Sequence, residues 1–146
     1  MQERFSIALP LAPRRAASGE IAFVWAGPGH WLALAAHEQG HRFETTLREG
    51  LAGLASVSDQ SDGRAVIRIA GPKARDALVK GIPLDLHPRA FVPGQAAATV
   101  AAHVGIQIWQ LDDAPTYELA MFRGFAGSFW RWLMESSAEF GVEVAR

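Results

Sequence analysis

Apolar positions along the chain fall into two periods, and these divide most of it into predicted strands and helices. Apolar runs and alternations predict six β-strands, at residues 21–25, 31–36, 65–70, 98–103, 106–111 and 116–122. Segments with helical spacing predict three helices, one beginning at Thr46, one from Gly71 to Gly81, and one over about 125–140. Tight turns at 27–29 and 112–115 join neighbouring strands. The sequence therefore predicts an α+β fold, with a largely antiparallel sheet and helices packed on it.

The first twenty residues have a different pattern from the rest. Apolar and small or polar residues alternate from Phe5 to Leu11, as in an extended segment with one apolar face. The stretch Ala16–Gly19 is expected to act as a flexible joint. We therefore predict an N-terminal arm over 1–20 and a single domain over 21–146.

Turn and cap residues suggest how several elements begin. Thr46 and Glu49 have the spacing of a capping box at the start of the first helix. Asp62-Gly63 is expected to form a tight turn before the strand at 65–70, with Gly63 at positive φ. Gly81 is expected to end the second helix, and residues 82–95 are expected to be an ordered connection.

The last helix has an apolar face wider than one core contact requires. Its main stripe comprises Phe125, Phe129, Trp132, Leu133, Ser136 and Phe140. Trp130 and Met134 lie beside this stripe, and large aromatic residues concentrate at protein interfaces. We predict that a larger partner protein buries Trp130 and Met134. The alternative is that the N-terminal arm folds back over them.

Composition excludes several classes of function. The net charge is −1 and the pI is about 6.5, so no nucleic acid or anionic membrane is expected as partner. The chain has no cysteine, which excludes disulfides and thiolate chemistry and fits a cytoplasmic location. No apolar run approaches the roughly 20 residues that span a bilayer.

The strongest chemical signal is His37-Glu38-Gln39-Gly40-His41, which matches the HExxH pattern of zinc hydrolases. Gly40 and the apolar run before His37 argue against the shared helical face that such a site needs. Asp112-Asp113 could form a carboxylate pair, but its neighbours Ala114-Pro115 indicate a turn. No catalytic, cofactor-binding or metal-binding residue is therefore assigned from the residues themselves.

Four segments follow one another in an unusual order, at residues 57–64, 66–69, 71–78 and 83–91. In this order they resemble the gamma subunit of heterotetrameric sarcosine oxidase. The resemblance covers residues 21–141 and includes the segment Asp113–Tyr117 and the tryptophan-bearing last helix. Its most specific residues, for which we expect structural roles, are Asp59, Gln60, Ser61, Asp62, Gly63, Arg64, Gly71, Pro72, Pro83, Leu84, Asp85, Leu86, His87 and Pro88.

This resemblance implies a fold like the folate-binding aminomethyltransferases and a place in a larger complex. The alpha subunit would hold NAD and a folate-binding domain, the beta subunit FAD, and FMN would lie between alpha and beta. A small delta subunit would carry zinc. The complex would oxidise sarcosine to glycine, passing the methyl carbon to tetrahydrofolate and electrons to oxygen.

Within that resemblance this chain is expected to be a non-catalytic, accessory subunit that binds no cofactor of its own. Val104 and Gly105 occupy the positions where the aminomethyltransferases carry an aspartate pair. One alternative is a free-standing, folate-dependent aminomethyltransferase-like enzyme. A third is a zinc hydrolase that uses the HExxH segment.

Overall fold

The computed structural model describes residues 7–35 and 40–145, with residues 40 and 41 described by their backbone alone. The strands are β1 (Arg15–Ser18), β2 (Ile21–Gly27), β3 (His30–Leu34), β4 (Arg64–Ala70), β5 (Ala96–Ala101), β6 (Val104–Asp112) and β7 (Thr116–Phe122). The helices are α1 (Gly40–Gly50), α2 (Ala74–Leu78) and α3 (Ala126–Ser137), and 3₁₀ turns at Arg123–Phe125 and Ala138–Phe140 flank α3. The α+β class predicted from the sequence is confirmed.

The strands form two antiparallel sheets. The first has the order β1-β2-β3, with Trp25 opposite Trp31 across the predicted hairpin. The second has the order β4-β7-β6-β5, so β7 and β6 are central and β4 and β5 are the edges. Among the described residues, no helix is long and apolar enough to cross a bilayer.

The two central strands of the second sheet are buried on both faces. Their side chains alternate between these faces, so each strand contributes to two clusters. On one face, Tyr117, Leu119 and Met121 of β7 pack with Phe129 and Leu133 of α3 in the main core. The opposite face belongs to a second cluster, formed by Val24, Ala96, Trp109 and Ala120 with Leu32, Leu34 and Leu111. The first sheet therefore covers the face that the helices leave open.

The outer face of the first sheet is covered by α1 and by the N-terminal residues. Ile7, Phe23 and Leu47 form a third cluster, with Leu9, Phe43 and Leu51 packed against it. The indole N–H of Trp31 donates to the Pro10 carbonyl at 2.8 Å. The fold therefore has four layers, in the order α1, first sheet, second sheet, and α2 with α3.

Part of the predicted N-terminal arm is a strand. Residues 16–18 belong to β1, which pairs with β2, so the flexible joint expected over Ala16–Gly19 is wrong up to Ser18. The Ala96 N–H donates to the Pro13 carbonyl at 2.9 Å, and the Arg15 N–H donates to the Gly94 carbonyl at 2.8 Å. These bonds join the start of the first sheet to the β5 edge of the second. The division into an arm and one domain stays a prediction.

The first helix begins earlier than its sequence suggested. Thr46 is inside α1 and its hydroxyl donates to the Arg42 carbonyl at 2.8 Å, so the capping box with Glu49 is wrong. The helix ends at Gly50, and Leu54 is 82% exposed beyond it. Glycine did not prevent the helix from starting at Gly40, because the conformational freedom of glycine is costly inside a helix but tolerated at its N-terminus.

Gly81 is required for a close contact rather than for a helix end. The helix α2 already ends at Leu78. An added Cβ at Gly81 would lie 2.5 Å from the ring of Trp132, whereas the φ of Gly81 is not in the left-handed region. The connection at 82–95 is ordered as predicted, with Ile82, Leu86 and Phe91 in the main core.

Positive φ occurs at two residues for which it was not predicted, and is absent from one for which it was. Gly63 lies outside the left-handed region, so that prediction is wrong; its N–H donates to the Gln60 carbonyl at 3.0 Å in an ordinary turn. Ala102 (φ 46°) and His103 (φ 70°) instead form the two-residue turn between β5 and β6. Such turns favour Asn-Gly, and here the Ala102 N–H donates to the Gly81 carbonyl at 3.1 Å.

We predict that Gly81→Ala lowers the free energy of unfolding by about 1–3 kcal/mol, because the new methyl group displaces the Trp132 ring. Urea titration followed by tryptophan fluorescence measures the change. Gly127→Ala in α3 is the matched control, since nothing lies within 4 Å of its added Cβ; it should raise stability by up to about 1 kcal/mol. Equal effects of the two substitutions would contradict the prediction.

Candidate functional site

The residues that carried the resemblance lie at opposite ends of β4. Asp59–Gly63 precede the strand and Arg64 begins it, whereas Gly71 and Pro72 follow it, roughly 20 Å away at about 3.3 Å per residue. The Gly71 N–H donates to the Pro115 carbonyl at 3.3 Å, which brings this end of β4 beside the start of β7. The structure therefore brings together only part of the motif set.

The turn before β4 uses its polar side chains internally. The Asp59 carboxylate accepts the Ser61 N–H at 2.8 Å and the Ser61 hydroxyl at 2.6 Å. The Gln60 amide donates to the Ser58 hydroxyl at 3.2 Å. At the entry to the strand, the Arg64 guanidinium lies 4.6 Å from the centre of the Phe122 ring. These contacts shape a turn and present no converging catalytic groups.

The segment Pro83–Pro88 is likewise built from local bonds. The Asp85 carboxylate accepts the His87 N–H at 2.9 Å, and His87 Nδ1 accepts the Arg89 N–H at 3.2 Å. Between these polar residues Leu86 is buried in the main core. The side chains of Asp85 and His87 therefore bond to the backbone of the connection, and their structural role stays a prediction.

A cluster around Tyr117 joins the segment Asp113–Tyr117 to the helix that follows Gly71-Pro72 and to the connection that contains Pro83–Pro88. Tyr117 is fully buried, and its ring stacks on Phe91 with the ring centres 6.4 Å apart. The Arg75 guanidinium of α2 lies 5.9 Å from the centre of the Tyr117 ring. Gln110 lies opposite Tyr117 across the β6–β7 pair and is also buried. The cluster joins α2, the 82–95 connection and the two central strands.

The polar atoms of this cluster are incompletely satisfied. The Tyr117 hydroxyl and Gln110 Oε1 have no hydrogen-bond partner among the described residues, whereas Gln110 Nε2 donates to the Asp112 carbonyl at 2.8 Å. Burial raises the pKa of Tyr117, and the positive charge of Arg75 opposes that rise. Tyr117 is therefore held in its neutral form.

The other candidate residues do not converge on a site. Asp112 accepts the Ala114 N–H at 2.9 Å, so its carboxylate serves the turn to β7 as predicted. His37, Glu38 and Gln39 of the HExxH segment lie outside the described residues. Within the described ranges, no three His, Asp or Glu side chains are grouped closely enough to hold a metal ion.

Sequence reasoning missed a polar ladder that crosses three strands. Arg68 of β4 donates to Glu118 Oε1 of β7 through Nε (3.1 Å) and Nη2 (2.6 Å), and the Trp109 indole of β6 donates to Glu118 Oε2 at 2.7 Å. Glu118 lies opposite both Arg68 and Trp109 in the sheet register. Alternation places each residue on one face of its strand, but only the strand order brings these three together.

Comparison with known proteins assigns the chain to a family. The family model described as sarcosine oxidase, gamma subunit family, matches residues 1–139. This chain belongs to the sarcosine oxidase gamma subunit family.

The curated relatives that this chain matches are gamma subunits of sarcosine oxidases. It is 34% identical over 119 residues to the subunit from Arthrobacter sp., which covers 82% of this chain and 58% of the relative. It is 32% identical over 123 residues to the subunit from Corynebacterium sp. strain P-1, with 84% and 59% covered. The chain thus spans about three-fifths of the length of these relatives.

A solved structure shares the fold. The match is to a chain of a structure described as heterotetrameric sarcosine oxidase from Corynebacterium sp. U-96 in complex with pyrrole 2-carboxylate. The TM-score is 0.85 at 29% identity, covering 97% of this chain and 73% of the other. The four layers described above are therefore similar to the architecture of a chain in that complex.

Tyr117→Phe should raise the free energy of unfolding at neutral pH by about 1 kcal/mol, because it removes a buried hydroxyl without a partner. A pKa raised in the folded state also means that folding loses stability as pH rises from about 10, the ordinary value for tyrosine, towards the folded value. The variant should lose less stability over that alkaline range.

Urea titrations of both proteins between pH 7 and 11 measure this difference. Tyr117 is the chain's one tyrosine, and the raised pKa of Lys73, held by its bond to Asp76, affects both proteins alike. A parallel decline in the two proteins, or a large loss of stability at pH 7, would show that the hydroxyl is satisfied.

Proposed function

We propose that this chain is a non-catalytic, accessory subunit of a sarcosine oxidase complex. The observation that carries the non-catalytic part is that two motif carboxylates and one of the candidate carboxylate pair are used in turns. Asp59, Asp85 and Asp112 each accept a backbone N–H two residues along the chain. A general acid or base requires a side chain that is available to a reacting group, so we assign these residues to folding.

The proposed complex also contains alpha, beta and delta subunits and works in the cytoplasm. Its overall reaction oxidises sarcosine to glycine, passes the methyl carbon to tetrahydrofolate and passes electrons to oxygen. We assign FAD, FMN and NAD to the larger subunits, and none of these cofactors to this chain. The support is family membership and the similarity to a chain of a solved heterotetrameric sarcosine oxidase.

We also propose that the fold is related to the aminomethyltransferases but does not bind folate in this chain. Val104 and Gly105 stand where we place the aspartate pair of those enzymes. They begin β6 directly after the turn at Ala102-His103, with Val104 buried and Gly105 exposed. Neither residue provides a side-chain acceptor for the folate ring system.

Trp130 and Met134 remain our proposed contacts with a larger subunit. Trp130 is 39% exposed, while its neighbour Phe129 is fully buried. The alternative in which the N-terminal arm covers Trp130 is wrong for residues 7 and 9, because Ile7 and Leu9 pack with Phe23 and Leu47 instead. Leu11 is 89% exposed. Phe5 lies outside the described residues.

Purification of the tagged chain from its native host tests the proposed function. We expect larger subunits to be recovered in fixed proportion, with a flavin absorption band and sarcosine oxidase activity in that fraction. The isolated chain should be colourless and inactive with sarcosine. A flavin band that follows the isolated chain would contradict the accessory role.

Ligand binding by the isolated chain separates the competing functions. Calorimetry should detect no tetrahydrofolate binding at micromolar concentrations, and metal analysis after dialysis should find less than one equivalent of zinc. Micromolar folate affinity would favour an aminomethyltransferase-like enzyme. Stoichiometric zinc that is lost in His37→Ala would favour a hydrolase, with His41→Ala as the companion variant.

Trp130→Ala should weaken association with the larger subunits at least tenfold while changing the free energy of unfolding by less than about 1 kcal/mol. Trp132→Ala is the matched control. Its ring packs against Phe129 with centres 5.4 Å apart and against Gly81, so it should lower stability by about 3 kcal/mol. A loss of stability in Trp130→Ala without weaker association would show that Trp130 belongs to the core.

A further inference from the structure

The outer edge of β4 is an unpaired sheet edge with defined hydrogen-bonding groups. The Arg123 N–H donates to the Gly63 carbonyl and the Gly71 N–H donates to the Pro115 carbonyl. In the β4–β7 register these are the paired positions just before and just after the strand. Since bonded pairs alternate in an antiparallel ladder, odd-numbered residues of β4 bond to β7 and even-numbered residues direct their groups outwards.

The outward groups therefore belong to Val66, Arg68 and Ala70, since the Arg64 N–H already donates to the Gln60 carbonyl at 3.0 Å. Among the described residues, β7 is the one strand that pairs with β4. The opposite edge is different, because the Ala96 N–H of β5 bonds to Pro13. Native proteins usually cover or blunt such edges, because an open edge recruits another strand.

Exposed apolar side chains adjoin this edge. Val66 is 48% exposed, and Phe122, opposite Arg64 in the register, is 54% exposed. On the other face of β4, Ile67 and Ile69 are only partly buried at the margin of the main core. A strand added here would place one set of side chains beside Ile67 and Ile69 and the other beside Val66.

The charges beside the edge are positive. Arg64 and Arg68 flank Val66 on one face. Glu118 of β7 lies opposite Arg68 and already accepts bonds from Arg68 and Trp109, whereas Phe122 lies opposite Arg64. Arg64 forms no ion pair within the described part of the chain, and its Nε has no partner there. Asp59 and Asp62 lie in the turn that precedes the strand.

These charges argue against pairing with a second copy of the chain. A two-fold antiparallel pair centred on Val66 would place Arg64 opposite Arg68 of the other copy, and one centred on Arg68 would place two Arg68 side chains opposite each other. A pair centred on Ile67 would place the two Arg68 side chains diagonally across the strand pair from each other. Like charges at such positions destabilise a strand pair. A partner strand with carboxylates at those positions would instead be attracted by the charges of Arg64 and Arg68.

We propose that β4 is extended by a strand from another subunit of the complex, an extended segment that alternates apolar and acidic residues. Its apolar side chains contact Ile67 and Ile69, and its carboxylates lie beside Arg64 and Arg68 around Val66. Main-chain bonds to the edge provide affinity and the alternating side chains provide specificity. This inference rests on the proposed function, because it requires a partner subunit.

Hydrogen exchange of the chain, alone and in the purified complex, tests the edge without any substitution. The amides of Val66, Arg68 and Ala70 should exchange at least about tenfold more slowly in the complex, while the Val100 amide of β5 should change less. Protection of the three amides already in the isolated chain would show that the chain covers its own edge. Equal exchange in both states would show that no strand is added.

Val66→Pro tests the same edge by removing one outward N–H while leaving the bonds to β7 intact. Association with the partner subunits should weaken at least tenfold. Val100→Pro is the matched control, because Val100 is 45% exposed and also directs its amide outwards, from β5. Similar association by the two variants would overturn the proposal, provided thermal melting shows that both are folded.

Charge reversal completes the test and needs no change of backbone. Arg64→Glu should weaken association several-fold, more at low than at high salt, whereas Arg89→Glu, the same change of charge at an exposed arginine outside β4, should not. An equal effect of both would contradict an acidic occupant. A concentration-dependent dimer of the isolated chain, lost in Val66→Pro, would mean self-pairing instead. If the unmodified chain recovers no partner subunit, the proposed function itself is wrong.

Discussion

Burial of the two central strands on both faces is the constraint on which the rest of the structure depends. Tyr117, Leu119 and Met121 of β7 need cover from α2, α3 and the 82–95 connection, while Trp109 and Ala120 need cover from the first sheet. Antiparallel sheets often leave one face to solvent, but here neither face of β6 and β7 can. The three-stranded sheet is therefore a required layer of the core, and α1 in turn covers its outer face.

The same burial decides what the polar residues of these strands can do. Trp109 is fully buried and satisfies its indole N–H through Glu118, which in turn holds Arg68 at the surface. Tyr117 has no comparable partner among the described residues, and burial keeps it neutral with the Arg75 guanidinium 5.9 Å from its ring centre. Within the described part of the chain, these polar groups are thus committed to packing or to cross-strand bonds. This is the physical argument behind the proposed accessory role.

The surfaces that remain open are the ones that an assembled protein would use. Trp130 on α3, Phe122 at the end of β7 and the outer edge of β4 are exposed, although each adjoins well-packed core. Large apolar side chains beside unsatisfied main-chain groups are costly for a chain that acts alone. The proposed assembly with partner subunits would give a reason for keeping them.

The sequence by itself determined the elements whose pattern is local. The hairpin at Ile21–Leu34, the strands at 64–70 and 116–122 and the last helix follow from alternation, helical spacing and turn residues. The family could also be predicted from the sequence, because its motifs are contiguous segments.

The tertiary structure alone decided the positions that depend on residues distant in the chain. Gly81 accommodates the Trp132 ring, Ala102-His103 adopt positive φ beside the Gly81 carbonyl, and Thr46 lies within α1 instead of capping it. Glu118 meets Arg68 and Trp109 only because β7 lies between β4 and β6, and no period along a single strand records which strands will be its neighbours.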